Sequence, residues 1–305
     1  MSKYIYIKAI ISIIFSLILI ISFYFLKIKN IKVALCTMGK KENLYVKEYI
    51  NYYIKLGVDH IFIYDDNEPK DEKISDVINK SYAKYVTIYE NLNKTIKNQS
   101  TAFTTCYNNN KNKYDWILMF DMDEFLFIVN DSLKKYLNQG FLKKCDFIKI
   151  YWVLPTDNNL LHYDNRSLFK RFKKPYLKSN LIKTIVRGNI SGLKYMIHSP
   201  QSSPLRNITC NNIGAIIPDN ISKFYFDKRT INIDKAYIIH FKFKSTEEFI
   251  NKYKRGYSNW VGHNFLKNRI KEYFKNNKVT LEKIEYLERS LNLNLINYKK
   301  HIINS

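Results

Sequence analysis

The residues best suited to chemistry lie in one stretch, residues 114–127, with the sequence YDWILMFDMDEFLF. An apolar run there leads into three acids, Asp121, Asp123 and Glu124, and apolar residues follow at once. Such a run is typical of a strand buried on both faces. In fully extended chain, Asp121 and Asp123 would point to the same side. Two carboxylates on one side suit a hard divalent cation, Mg²⁺ or Mn²⁺. Asp-x-Asp also arises by chance, but unpaired carboxylates amid so much apolar surface would be costly without a cation.

The elements that position these acids alternate between strands and helices. Helix 41–55 keeps one face apolar and stops at Gly57, a residue suited to a helix C-terminus. The alternation predicts a parallel α/β sheet. Two of its strands end in acids, which predicts a ligand-binding edge. The predicted strands of this half are 33–36, 60–64, 85–89 and 116–120, with a second helix at 99–107.

The second half of the chain contains a histidine inside an apolar strand, His240 in residues 235–243. Ser245 then opens a helix, with Glu248 at the capping-box position. Residues 154–235 predict loops and short strands, where an acceptor pocket would be built. The other predicted elements are a helix at 131–137, a strand at 145–153 and amphipathic helices at 265–274 and 280–291.

The composition describes a basic globular protein of 305 residues, with formal charge +23 and 46% hydrophobic residues. A coding sequence rich in A and T would explain much of the excess of Lys, Asn, Ile and Tyr, so the positive charge says little about function. The charge still favours anionic partners. No recognised nucleic-acid-binding motif is present. The cysteines allow two disulfides, but their spacing selects no pairing. Cys36 and Cys145 lie in predicted strands and are expected to be plain core residues.

The N-terminal segment 5–26 predicts a membrane anchor. Residues 9–26 carry no charge, which is near the minimum of about 18 residues for spanning a bilayer. No small-residue cleavage site follows, so a retained signal-anchor is expected, with a buried helix as the alternative. We therefore predict a single-pass membrane protein, with a lumenal catalytic domain if the source is eukaryotic. Asn-x-Ser/Thr sequons support that location only weakly in so Asn-rich a chain; they begin at Asn93, Asn98, Asn130, Asn165, Asn189, Asn207 and Asn220.

Four stretches in order resemble one enzyme family. They are residues 40–72, 116–128 (WILMFDMDEFLFI), 183–200 (with KTIVRG and IHSP) and 236–256 (AYIIHFKFKSTEEFINKYKRG). The chain resembles glycosyltransferase family 92 and its GT-A relatives of the family 2 type. The resemblance implies a GT-A fold, a Rossmann-like mixed sheet flanked by helices. It also implies sugar transfer from a nucleotide-sugar donor, with a UDP-sugar expected, to a glycan, protein or lipid acceptor. The predicted divisions are an anchor at 1–29, a catalytic domain at 30–260 and a helical extension at 261–305.

The resemblance also implies roles for individual residues. Without it, His240 would be an ordinary core histidine. Lys183 or Arg187 would add positive charge beside the diphosphate, or else lie on a solvated face. The implied nucleotide-pocket residues are Thr37, Glu42, Asp65 and Gln99, and the implied ligands of Mn²⁺ or Mg²⁺ are Asp121, Asp123 and His240.

The acceptor side departs from the family pattern at residues 152–157, WVLPTD. Asp157 follows a strand end and is our predicted catalytic base. A turn-forming Asp beside two asparagines is an equally good interpretation. Two functions compete with the transferase. One is an inactive glycan- or nucleotide-binding module of the same fold, and the other is a basic nucleic-acid binder.

Overall fold

The structure is a computed structural model that describes residues 13–16, 31–90, 92, 96, 98–173, 176–196, 198–202, 207–217, 231–255 and 263–295. The predicted anchor at 5–26 lies outside the described residues except for 13–16. No helix in the described ranges combines the length and the apolar character needed to cross a bilayer.

The first half of the chain forms a parallel sheet, as the strand–helix alternation predicts. Its elements are β1 (Val33–Gly39), α1 (Asn43–Leu56), β2 (His60–Asp65), α2 (Ile74–Val77), β3 (Val86–Tyr89), α3 (Gln99–Asn110) and β4 (Trp116–Met119), with a 3₁₀ helix at Lys80–Lys84. Strands β3, β2, β1 and β4 lie side by side in that order, and each neighbouring pair is parallel.

The second half extends the sheet in a mixed pattern. The elements of this half are β5 (Glu124–Ile128), α4 (Leu133–Leu137), a 3₁₀ helix (Gly140–Leu142), β6 (Phe147–Pro155), α5 (Leu168–Arg171), β7 (Tyr176–Arg187), β8 (Leu193–Tyr195), β9 (Pro200–Ser202), β10 (Thr209–Asn211), β11 (Ala236–His240), α6 (Thr246–Lys254), α7 (His263–Asn276) and α8 (Leu281–Leu291). Strand β7 pairs antiparallel with both β4 and β6. Strand β11 lies between β6 and β5, and a short β10 pairs with β6.

The sheet is buried on both faces because alternate residues of each strand point to opposite sides. In β1, Val33 and Leu35 join the large core cluster, while Ala34 and Cys36 join a second cluster on the other face. The first cluster includes the inner face of α1, and the second includes that of α3. The mixed α/β sheet flanked by helices is therefore confirmed.

Strand β7 is the main departure from the expectation of loops and short strands at 154–235. It has 12 residues and lies between β4 and β6 in the middle of the sheet. Residues 182–186 of the strand are buried. Its sequence alternates less clearly because polar residues, Lys183 among them, are buried along it. This strand matters because it carries Lys183 into the candidate site.

The four cysteines form two disulfides. Cys36 of β1 pairs with Cys106 of α3, and Cys145 pairs with Cys210 of β10. The prediction that Cys36 and Cys145 are plain core residues is therefore wrong, although both are fully buried. The partners are 70 and 65 residues apart, so only the tertiary fold could select the pairing.

The C-terminal helices share the main core. Ile270 and Tyr273 of α7 and Ile284 and Leu287 of α8 are buried in the same cluster as the central sheet. The predicted boundary at residue 260 stays a prediction.

Candidate active site

The acidic residues lie in a tight turn between β4 and β5. The Glu124 backbone N–H donates to the Asp121 carbonyl at 3.1 Å, and the Asp121 N–H donates to the Glu124 carboxylate at 3.0 Å. The extended conformation assumed from the sequence is therefore wrong, because the chain reverses at Asp121 to Glu124. As a result, Asp121 and Asp123 take different partners.

Asp121 is held by two side chains from other elements. The Lys183 ammonium of β7 lies 2.6 Å from its Oδ1, and the Gln99 amide at the start of α3 donates to the same atom. Burial lowers the pKa of Lys183, but the charges of Asp121 and Glu124 outweigh burial and raise it overall. Lys183 is therefore a permanently charged, fully buried partner of this carboxylate. Arg187, the other cation considered, lies over the Trp116 ring at the opposite end of β4.

Asp123 is 5% exposed and contacts two basic side chains. Its Oδ2 lies 2.8 Å from the Lys252 ammonium of α6 and 3.4 Å from Nε2 of His240. Burial would raise the pKa of Asp123, but Lys252 and His240 together hold it well below the usual range. Burial lowers the pKa of His240 despite the neighbouring carboxylate, so a neutral imidazole faces an ionised Asp123 at neutral pH.

The pairing of β11 with β5 places His240 directly opposite Glu124. Glu124 Oε1 and His240 Nδ1 are 4.0 Å apart. Within the described ranges, neither of these atoms has a hydrogen-bond partner, and Nε1 of Trp152 also has none. The Trp152 and His240 rings meet edge-on, with their centroids 4.2 Å apart. Burial and Asp121 raise the pKa of Glu124 well above its usual value. Buried polar atoms without hydrogen-bond partners are costly, so these three atoms could form hydrogen bonds with a ligand.

The profile of glycosyltransferase family 92 matches residues 29–295. The chain belongs to glycosyltransferase family 92. A family 92 protein of Oryza sativa subsp. japonica is 30% identical over 111 residues, which are 36% of this chain and 19% of the rice protein. One from Arabidopsis thaliana is 30% identical over 96 residues, which are 32% of this chain and 16% of that protein. The aligned part is thus less than a fifth of either relative.

One solved structure, a 4-diphosphocytidyl-2C-methyl-D-erythritol synthase, covers 52% of this chain and 76% of its own, with 11% identity. Its TM-score of 0.29 supports no argument about the fold or the function of this family 92 chain.

Lys252 is the residue that sequence reasoning missed. The capping box at Ser245 fixes the start of α6, because its hydroxyl and the Glu248 side chain bond each other's backbone N–H groups. Glu248, Lys252 and Arg255 then recur at helical spacing and share one face. That spacing is visible in the sequence, but only the fold shows that this face meets Asp123.

Most of the predicted nucleotide-pocket residues form contacts with other parts of the fold. Glu42 is bound by Arg255 and by Lys244, whose ammonium lies 3.1 Å away. Asp65 accepts backbone N–H bonds from Asn67 at 2.9 Å and Ile74 at 2.8 Å. Asp65 therefore organises the loop after β2. Thr37 is fully buried, and Gln99 positions Asp121.

Asp157 lies in a buried ion pair. Its Oδ2 is 2.6 Å from the Lys283 ammonium of α8 and accepts a bond from the Tyr273 hydroxyl. Its Oδ1 accepts the Asn159 N–H at 2.9 Å, which is the turn arrangement considered above. A base must reach the acceptor hydroxyl, but Asp157 is only 1% exposed. This geometry argues against the predicted catalytic role.

The donor types at the site fit a divalent cation. Oδ2 of Asp123 and Nε2 of His240 are 3.4 Å apart, close to the separation expected for two ligands about 2 Å from one ion. In the part of the chain described, neither Nδ1 of His240 nor Oε1 of Glu124 has a hydrogen-bond partner, although the Lys183 ammonium lies 3.8 Å from Oε1. No group of three or more His, Cys, Asp or Glu among the described residues converges on a metal position. Lys252 pairs with the carboxylate of Asp123, and Lys183 pairs with that of Asp121.

Proposed function

We propose that this chain is a membrane-anchored, metal-dependent glycosyltransferase of GT-A fold. It moves a sugar from a nucleotide-sugar donor, with a UDP-sugar as the first expectation, to a glycan, protein or lipid acceptor. The observation that carries the proposal is the contact of Asp123 with His240 at 3.4 Å, with Asp121 in the same turn after β4, in a family 92 chain. The parallel order β3-β2-β1-β4 supports the GT-A assignment, because ligands bind at the carboxyl edge of such sheets.

The residues of this chain would bind and orient the donor. Departure of a nucleoside diphosphate builds negative charge on phosphate oxygens, and Lys183 and Lys252 already lie beside the two aspartates. Asp121, Asp123 and His240 would hold Mn²⁺ or Mg²⁺, which supplies Lewis-acid stabilisation of that charge when bound. Gln99 and Lys183 keep the Asp121 carboxylate in place. We assign no catalytic base.

The test is transfer and donor hydrolysis across a panel of nucleotide sugars, with Mn²⁺ and with excess chelator. Asp123→Asn keeps the shape but removes the charge that attracts the cation, so activity should fall to background. Asp131→Asn, an exposed acid beyond β5, is the matched control and should retain activity. Full activity of the parent protein in excess chelator would refute the metal-dependent mechanism.

The same experiment separates the competing functions. An inactive binding module would bind a nucleotide or glycan with no hydrolysis under any metal condition. A nucleic-acid binder would respond to RNA or DNA instead, with the steep salt dependence of phosphate contacts. Intact Asp121 and Asp123, the latter 3.4 Å from His240, favour the transferase over the inactive module.

We also propose that residues 5–26 anchor the chain and that the catalytic domain is lumenal if the source is eukaryotic. The two disulfides support an oxidising compartment, because such bonds are rare in the cytosol. The anchor predicts that the full chain stays with membranes through alkaline carbonate washing. Release of the full chain by the wash would contradict the anchor.

A further inference from the structure

Lys252 is bound to the carboxylate oxygen that a cation between Asp123 and His240 would need. Its ammonium is 2.8 Å from the same Oδ2 atom that lies 3.4 Å from His240 Nε2. A carboxylate as buried as Asp123 requires a positive partner. Lys252 supplies it here, and a divalent cation would compete with this ammonium for the same oxygen because the two positive charges repel each other.

The two lysines of the site differ in their freedom to move. The side chain of Lys183 is fully buried, while that of Lys252 is 18% exposed. Lys252 lies in the last turn of α6 on a flexible four-carbon stem, so its ammonium can leave Asp123 without moving the helix. Lys183 is fixed by the sheet, so Lys252 is the lysine that can yield.

The surroundings of Lys252 favour an anion as its second partner. Lys244 and Arg255 lie on the same side of the site, and both are paired with the single carboxylate of Glu42. The charge of Lys252 also acts on Glu42, which places all three cations near one another. A diphosphate would meet this excess of positive charge, and it would supply the oxygens that Lys252 loses on leaving Asp123.

We propose that Lys252 is a displaceable counter-ion that pairs with Asp123 and transfers to the diphosphate when donor and cation bind. This inference rests on the proposed function. It has a thermodynamic consequence: nucleoside diphosphate and divalent cation strengthen each other's binding, because the diphosphate draws Lys252 away from Asp123 and the cation releases Lys252 to the diphosphate.

The experiment measures Mn²⁺ binding directly, by loss of the free Mn²⁺ signal in electron paramagnetic resonance, on the full chain with and without UDP. In the parent protein UDP should tighten Mn²⁺ binding. In Lys252→Gln, Mn²⁺ should bind about tenfold more tightly without UDP, and the effect of UDP should shrink, at the lower end of usual couplings between linked sites.

Two variants control for charge and folding. Lys252→Arg keeps the cation, so its Mn²⁺ affinity should stay at or below that of the parent. Lys254→Gln removes a neighbouring exposed lysine of the same helix and should behave as the parent does. A circular dichroism spectrum of each variant verifies the fold, and if Lys252→Gln does not fold, Lys252→Met is measured in its place.

The outcomes separate the inference from the proposed function. If the parent binds Mn²⁺ but the neutral variant binds it no more tightly than Lys254→Gln does, the displaceable counter-ion is refuted and the metal site stands. If no variant binds Mn²⁺, with or without UDP, the metal-dependent function fails and the inference fails with it.

Discussion

The buried pair of Asp157 and Lys283 gives the sharpest test of a structural against a catalytic role. Both side chains are at most 2% exposed, and the ammonium lies 2.6 Å from the carboxylate. The pair joins the end of β6 to α8, and the Tyr273 hydroxyl of α7 bonds the same carboxylate. Asp157→Asn leaves the volume almost unchanged but leaves the Lys283 charge without its partner.

The expected cost follows from this geometry. Removing one partner of a buried ion pair destabilises a protein by about 3–5 kcal/mol. At roughly 2 °C per kcal/mol for a domain of this size, the melting temperature should fall by about 6–10 °C. The double variant Asp157→Leu/Lys283→Met should recover part of this loss, because it removes the uncompensated charge but leaves the Asn159 N–H without its acceptor.

The assay combines thermal unfolding with transfer activity per folded molecule at a temperature where every variant is folded. We expect Asp157→Asn to be less stable but to keep near-normal turnover. Asp164→Asn breaks an exposed pair with Arg166 and should leave the melting temperature unchanged. An Asp157→Asn protein with normal stability and no turnover would refute this reasoning and restore Asp157 as the base.

Three further predictions concern disulfides, pH and modification. Replacing Cys145 and Cys210 by Ser opens a bridge with a sequence separation of 65, which should cost about 4 kcal/mol in urea unfolding by loop entropy; an unchanged midpoint would contradict the bridge. His198 is partly exposed, but removal of its ring from water lowers its pKa to about 3. The unfolded chain, with a histidine pKa near 6.5, therefore binds one more proton than the folded chain as the pH falls from about 6.5 towards 3. His198→Asn should therefore remove about 1.4 kcal/mol of the stability lost between pH 7.5 and 5.5, and equal losses in both proteins would count against a buried neutral imidazole. Asn189 is exposed in a turn, so expression through a secretory pathway should add a glycan that Asn189→Gln eliminates, and identical masses would argue against modification there.

The sequence by itself determined the local elements and the chemistry of the central motif. Apolar runs and caps predict strands and helices wherever a regular pattern is buried on one face or two, as in β1, α1 and β4. The Ser245 capping box predicts the start of α6 correctly. These features depend on neighbours within a few residues, so they need no knowledge of the fold.

Only the tertiary structure decided which side chains meet. His240 faces Glu124 and Asp123 because β11 lies between β6 and β5, and strand order cannot be deduced from local periodicity. The Lys283 and Tyr273 partners of Asp157 and the disulfide pairing depend in the same way on contacts between distant segments. Lys252 lies 129 positions from Asp123 in the chain, and its role emerges only where the last turn of α6 reaches the carboxyl end of β4.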